Sequence, residues 1–221
     1  MSNNNIDSSL PIVNKPTHKI ITLNKRFRGF LPVVVDLESA GFNYTKDALL
    51  EIAFVFLAFD ETNPTDLVIA DTLHFHVEPF AGANIDQSAI EFNKIKPYHP
   101  FRFAVSEQEV LKQAFAVINE KVKKANCSRA VLVGHNPTFD LNFLHAAVKR
   151  CKLFNENPFH KFTTFDTASL GALLYKQSVL ARACAAAKIP FDENQAHGAL
   201  YDATKTAELF CKIVNKVKGL I

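Results

Sequence analysis

Asp36-Leu-Glu38 closes a short, almost wholly apolar run, LPVVVDLE, at residues 31–38. Alternate residues of a strand share a face, so the two carboxylates can converge on one spot. Two anions taken out of water together are costly, and a divalent cation removes that cost; Mg²⁺ favours oxygen ligands with an incomplete protein shell. A strand end frayed into solvent would carry the same two acids without a metal. Asp140 falls in the first turn of the segment after a second apolar run, AVLVG at 130–134, where an acid can equally serve the helix dipole. His135 and Asn136, between that run and Asp140, are ordinary loop residues when taken singly. His197 and Asp202 would lie about 140° apart on one helix. They converge more easily if His197 precedes the helix and Asp202 sits in its first turns, and QAHG before an Ala-rich run fits such a start.

The hydrophobic pattern indicates the elements that must hold these groups. Leu31 to Glu38 suits a strand buried on both faces. Ala48 to Phe59 and Thr72 to Val77 suggest two more, with the turn-forming DETNPTD between them, and so an antiparallel meander. Ser106 to Lys124 keeps Val110, Leu111, Phe115, Ile118 and Val122 on one helical face, and Ser106 with Glu109 forms a capping-box pattern. A strand over Ala130 to Gly134 then leads into a helix from Thr138 to about Cys151. A short strand at Phe162 to Phe165, helices near Thr167–Tyr175 and Val179–Lys188, and a last helix from Ala199 to Val217 complete the pattern. A β-meander followed by α/β alternation, built in layers, is the predicted architecture. Residues 1–22 are polar and carry two prolines, so a disordered or loosely docked tail is expected there, with 23–221 as a single domain.

Composition removes several classes of function. The 221 residues are 48% hydrophobic and 21% charged, ordinary for a globular protein with a sizeable core. No apolar run approaches the roughly 18 residues of a membrane span, and the N-terminus has no apolar signal core, so a cytoplasmic location without membrane partners is expected. The seven glycines are never closer than twelve residues, which excludes a Walker-type phosphate loop and a dinucleotide fingerprint. Cys127, Cys151, Cys184 and Cys211 form no CxxC pair, and buried free thiols are expected. A net charge of +3 decides nothing about nucleic acid by itself.

Taken together, Asp36-Leu-Glu38, His135-Asn-Pro-Thr-Phe-Asp140 and His197-Gly-Ala-Leu-Tyr-Asp202 stand in the order of a known pattern. The chain resembles the DEDD exonucleases, in the subgroup with His in the last motif. The resemblance covers about residues 26–217. RFRGFLPVVVDLESAGFN, DALLEIAF, TLHFHVEPFAGAN, NPFHKFTTFDT and QAHGALYD tie it to an RNA-trimming branch of that family. It implies an α/β, ribonuclease H-like exonuclease domain whose mixed five-stranded central sheet joins the meander to parallel strands between helices. It also implies a 3′→5′ exoribonuclease that matures the 3′ ends of tRNA and rRNA and releases nucleoside 5′-monophosphates. Two Mg²⁺ ions are implied, with Mn²⁺ as an alternative. Asp36 would bridge both, Glu38 and Asp202 would complete one site, Asp140 would hold the second ion, and His197 would be the general base.

The 20 phenylalanines are mostly core, since Trp is absent and there are four Tyr. Phe42, Phe92, Phe139 and Phe162 match positions at which that branch stacks aromatic rings on terminal bases. One departure is Ser88, four before Phe92, where the branch has an acid that contacts the terminal base; discrimination against terminal cytosine is thereby in doubt. Arg26, Arg28, Lys123 and Arg129 belong to basic clusters that could track a phosphate backbone or be solvated surface. The resemblance further implies a homodimer acting on the single-stranded 3′ ends of structured RNA. Single-stranded DNA stays open as a substrate, because nothing in the motifs reads a 2′-hydroxyl. A proofreading-type DNA exonuclease and a non-catalytic nucleic-acid-binding module are the competing readings.

Overall fold

A computed structural model describes residues 22–218. The tail expected over residues 1–22 lies outside the described residues except for Thr22, which precedes a single helical turn, α1 (Leu23–Arg26). The order then runs β1 (Phe30–Ser39), β2 (Leu49–Phe59), β3 (Leu67–His76), α2 (Gln87–Asn93), α3 (Glu107–Lys124) and β4 (Arg129–Gly134). It ends with α4 (Thr138–Cys151), β5 (Phe159–Asp166), α5 (Thr167–Tyr175), α6 (Leu180–Ala186) and α7 (Ala199–Val217). Five strands form one mixed sheet in the order β3-β2-β1-β4-β5. β1, β2 and β3 are the antiparallel meander, and β4 and β5 add to β1 in parallel.

β1 is central, and its alternation sorts side chains between two cores. Leu31, Val33, Val35 and Leu37 join the cluster that packs with α3 and α4, while Val34 joins the one under α7. Asp36 and Glu38 have the parity of Val34, which places both on the α7 face. β4 pairs with β1 only as far as Val34, so the β1 segment carrying the two acids projects beyond its parallel neighbour. α4, which follows β4, and α7 both start near this exposed end, and each carries an acid in its first turn: Asp140 and Asp202. Acids there complement the positive end of the helix dipole.

Several expected boundaries move. β3 begins at Leu67 rather than Thr72, because a register shift between Phe56 and Leu57 lets Leu67–Ile69 continue the ladder opposite Leu57–Phe59. β5 extends to Phe159–Asp166, and α6 is shorter than the expected Val179–Lys188. α2, absent from the expected elements, is a short helix capped by Asp86. Of the four free cysteines only Cys184 and Cys211 are buried; Cys127 and Cys151 are half-buried at the margin of the α3–α4 core, where surface turns limit their cover. α3 starts with the expected cap, Ser106 accepting from the Glu109 amide.

Candidate active site

One carboxylate oxygen from each of Asp36, Glu38 and Asp202 lies within 4.8 Å of the other two. Asp140 reaches the same place from α4 through the backbone: its Oδ1 accepts from the Leu37 amide, between the two β1 acids, at 3.1 Å. That amide lies beyond the last residue of β1 paired with β4, so the carboxylate supplies the partner that β4 does not. Asp202 Oδ2 accepts from the His197 amide at 3.0 Å. Its Oδ1 is shut off from solvent and has no hydrogen-bond partner.

Burial of so many acids shows in their titration. Desolvation, reinforced by Asp140, Asp202 and Glu38, holds Asp36 well above the usual carboxylate range. Glu38 is pushed up to about 8 by burial and then by Asp202, Glu51 and Asp140. Burial raises Asp140 to about 7, with its own amide and that of Leu37 opposing, and raises Asp202, with the His197 amide opposing. A cluster that resists ionisation, one of whose carboxylate oxygens is buried without a partner, has the donor set of a divalent-cation site. Asp36, Glu38 and Asp202 could hold one ion directly, and Asp140 is the acid adjacent to them.

His197 stands just ahead of α7, exposed, with a left-handed φ of 68°. This conformation turns the chain so that its amide meets Asp202. Its ring lies against Phe92 of α2, with centroids 4.2 Å apart. Asn93, next in α2, donates from Nδ2 to the Ser39 carbonyl at 3.0 Å and so ties α2 to the end of β1. His135 has a structural part: its ring nitrogens lie 3.0 Å from Thr167 Oγ1 and 2.8 Å from the Ser178 carbonyl. The Asn136 amide donates to Asp166, the cap of α5.

The aromatic candidates divide. Phe42 is 86% exposed and faces Phe139 edge-on at 6.2 Å, and Phe139 rests on buried Phe143. Phe42 is carried by a loop that Asp47 organises, accepting from the Asn43 amide and from Asn84 Nδ2. Gly41, at φ 154°, leaves room for that carboxylate, and a Cβ there would collide with it. Phe92 belongs with His197. Phe162 is not brought to these rings: it lines a separate cavity of about 580 Å³ with Arg129, His145, Lys149 and Lys161.

The other basic candidates are also dispersed. Arg26 and Arg28 line an apolar cavity of about 410 Å³ with Phe27, Phe30 and Phe210, which includes none of the acids. Lys123 is exposed in the last turn of α3, between Lys121, paired with Asp71, and Lys124, paired with Glu120. Ser88 donates its hydroxyl to Asp86, which caps α2, and Glu91 accepts from Gln87, so both nearby acids are engaged locally.

Sequence reasoning missed Glu51. It pairs with Glu38 across β1 and β2 and helps raise it. Burial raises Glu51 too, but His74, His76 and Arg102 outweigh it and hold Glu51 below its ordinary value. Only the strand register brings Glu51 to the site; within DALLEIAF it looks like any strand glutamate.

The sequence pattern of the exonuclease family RNase_T matches residues 33–210. The chain is 57% identical over 204 residues to a ribonuclease T of Vibrio campbellii, covering 92% of this chain and 94% of that protein. Its fold is similar to that of E. coli exonuclease I in complex with a dT13 oligonucleotide, with a TM-score of 0.63 and 14% identity over 86% of this chain and 41% of that one. It is also similar to the nuclease domain of 3′hExo, a DEDDh family member bound to rAMP. There the TM-score is 0.58 and the identity 17%, over 84% of this chain and 90% of that one.

Proposed function

The chain belongs to the exonuclease family that includes ribonuclease T and is a 3′–5′ exoribonuclease; from that premise we propose that it trims the single-stranded 3′ ends of stable RNAs. The observation that carries this reading is the convergence of Asp36, Glu38, Asp140 and Asp202 from three elements, with Asp202 Oδ1 buried and unpartnered.

The donor set is all oxygen, which suits Mg²⁺ or Mn²⁺. Asp36, Glu38 and Asp202 would hold the ion that activates water, and Asp140 would help to hold a second. Ions bound there would supply a nucleophile at neutral pH and charge to offset that developing on the phosphate. His197 is the proposed general base: it is exposed, and its own amide donates to Asp202. A ring nitrogen would take the proton of a water whose oxygen bonds to the terminal phosphorus as the P–O3′ bond breaks; the leaving 3′ oxygen takes up a proton from solvent, and a nucleoside 5′-monophosphate is released.

Phe92 positions the imidazole on one side, and its exposed face is free to take the terminal base. Phe42 and Phe139 provide a second aromatic ledge, on which a base would stack for about 1–3 kcal/mol. Phe162 with Arg129 forms a basic, aromatic-edged groove suited to nucleotides upstream, and Arg26, Arg28 and Lys123 are proposed as phosphate contacts. The reading extends to a homodimer in the cytoplasm, with single-stranded DNA as a second substrate. Among the described residues no helix is long and apolar enough to cross a membrane.

A tRNA transcript with a few extra 3′ nucleotides tests the substrate assignment. Trimming should proceed one nucleotide at a time and stop near the acceptor stem, while a blunt-ended duplex stays intact. Equal degradation of both RNAs would rule out a preference for single-stranded ends.

A further inference from the structure

Two rows of side chains cross the antiparallel half of the sheet on the α7 face. Strand register places Asp36, Ala53 and His74 in one row and Glu38, Glu51 and His76 in the next. Directly paired residues of antiparallel strands point to the same side. The acidic cluster therefore continues toward the sheet edge as a second cluster of different chemistry: one carboxylate and two imidazoles.

In that second cluster, one ligand-type atom from each of Glu51, His74 and His76 lies within 4.8 Å of the others. His76 Nδ1 is 3.0 Å from Glu51 Oε1, and His74 Nε2 is 3.6 Å from Glu51 Oε2. The two imidazoles thus flank a single carboxylate, one at each oxygen, at separations close to those between neighbouring ligands of one ion with bonds of about 2.0–2.1 Å. Both ring nitrogens are shut off from solvent and face the Glu51 carboxylate at ion-pair distance without meeting it in good hydrogen-bond geometry. Arg102 does not take up the carboxylate as a salt bridge; its guanidinium donates to the carbonyls of Leu50 and Pro97 at 2.6 and 2.8 Å. A cavity of about 440 Å³, lined by Glu51, His76, Asn93, His99 and His197 among others, gives access from outside.

We infer that Glu51, His74 and His76 form a second metal site, for a borderline transition-metal ion such as Zn²⁺. Two imidazoles and a carboxylate with an open fourth position match the ligand set and count of such ions. The carboxylates of Asp36, Glu38 and Asp202 are hard oxygen donors, so the two sites differ in the ion that they prefer. The inference stands apart from the catalytic reading, since it needs none of the four acids to act. An ion there ties β2 to β3 beside Glu38, and through the shared cavity it lies on the side of the site that His197 borders.

Metal-stripped full-length chain, dialysed against Zn²⁺ in a large excess of Mg²⁺, tests this. Mg²⁺ occupies the all-oxygen cluster, and the chain should then retain one Zn²⁺. His74→Gln/His76→Gln should weaken retention by more than the roughly 10–100-fold that loss of an outer-shell partner costs, and Asp36→Asn should leave it unchanged. X-ray absorption of the Zn²⁺-loaded wild type should show scattering from imidazoles, a readout that does not depend on how the variants fold. Three results would each overturn the inference: no retained Zn²⁺, equal retention by the histidine double variant, or a coordination shell of oxygen alone.

Discussion

Replacing Asp140 by Asn removes its charge and keeps its shape and acceptor oxygen. In the metal-free protein the buried Asp140 carboxyl lies at about 7 against an ordinary value of 3.8. At about 1.4 kcal/mol per unit, forcing it to ionise at pH 8 costs at most about 4 kcal/mol. Water entering the repelling cluster lowers this, and about 2 kcal/mol is expected. Asp140→Asn should therefore be more stable than wild type in chelator at pH 8, by about 4–8 °C in Tm at roughly 2–4 °C per kcal/mol. Asp140→Ala relieves the same charge but strands the Leu37 amide, and should fall below Asp140→Asn by about 1–3 kcal/mol. The pH dependence has a definite sign. A folded value above the unfolded one gives stability that is complete below about pH 4 and lost as pH rises through about 7. The gap between Asn and wild type thus opens across that window and is small at pH 4. Saturating Mg²⁺ should close or reverse it, since only the wild type keeps all four ligands. Thermal melts by circular dichroism across pH, with and without Mg²⁺, read each of these quantities. If Asp140→Asn is no more stable than wild type in chelator at pH 8, the picture of a cluster strained by buried charge is wrong.

Phe92→Ala removes the ring against His197 and one stacking surface. Single-turnover assays should show RNA affinity reduced about 5- to 150-fold, equivalent to about 1–3 kcal/mol. Gly41→Ala sets a Cβ against Asp47 and should displace the Phe42 loop; KM should rise well before kcat falls, and an unchanged KM would count against a substrate role for that loop. Ser88→Glu places an unengaged acid where Asp86 and Glu91 are both occupied. Time courses on RNAs differing only in the terminal base should then show stronger pausing at cytosine than in wild type, and identical pausing would remove Ser88 from base selection.

The part of the site that sequence reveals is the part fixed by local rules. The parity of Asp36 and Glu38 in an apolar strand, the position of Asp140 after a strand, and the placement of His197 ahead of a helix each follow from short-range periodicity and capping. All three appear in the structure as expected. The meander β1-β2-β3 follows from strand spacing and turn chemistry in the same way, whereas the pairing of β4 with β1 is set by non-local packing. Non-local features were not legible. Glu51 reaches Glu38 only through strand register, and His74 and His76 reach Glu51 by the same means. α2 buries none of its side chains, so seven residues left no periodic apolar stripe to detect. The separation of Phe162 from the other rings depends on where β5 lies in the sheet, which no spacing in NPFHKFTTFDT encodes.

The most direct test follows a 5′-labelled single-stranded RNA on a sequencing gel, with wild type and Asp36→Ala, in Mg²⁺ or in chelator. Wild type in Mg²⁺ should shorten the RNA stepwise from its 3′ end, while chelator or the substitution abolishes shortening but leaves a folded protein. RNA that is bound yet stays full length in both Mg²⁺ and Mn²⁺, or shortening that persists in chelator, would contradict a metal-dependent exonuclease centred on Asp36.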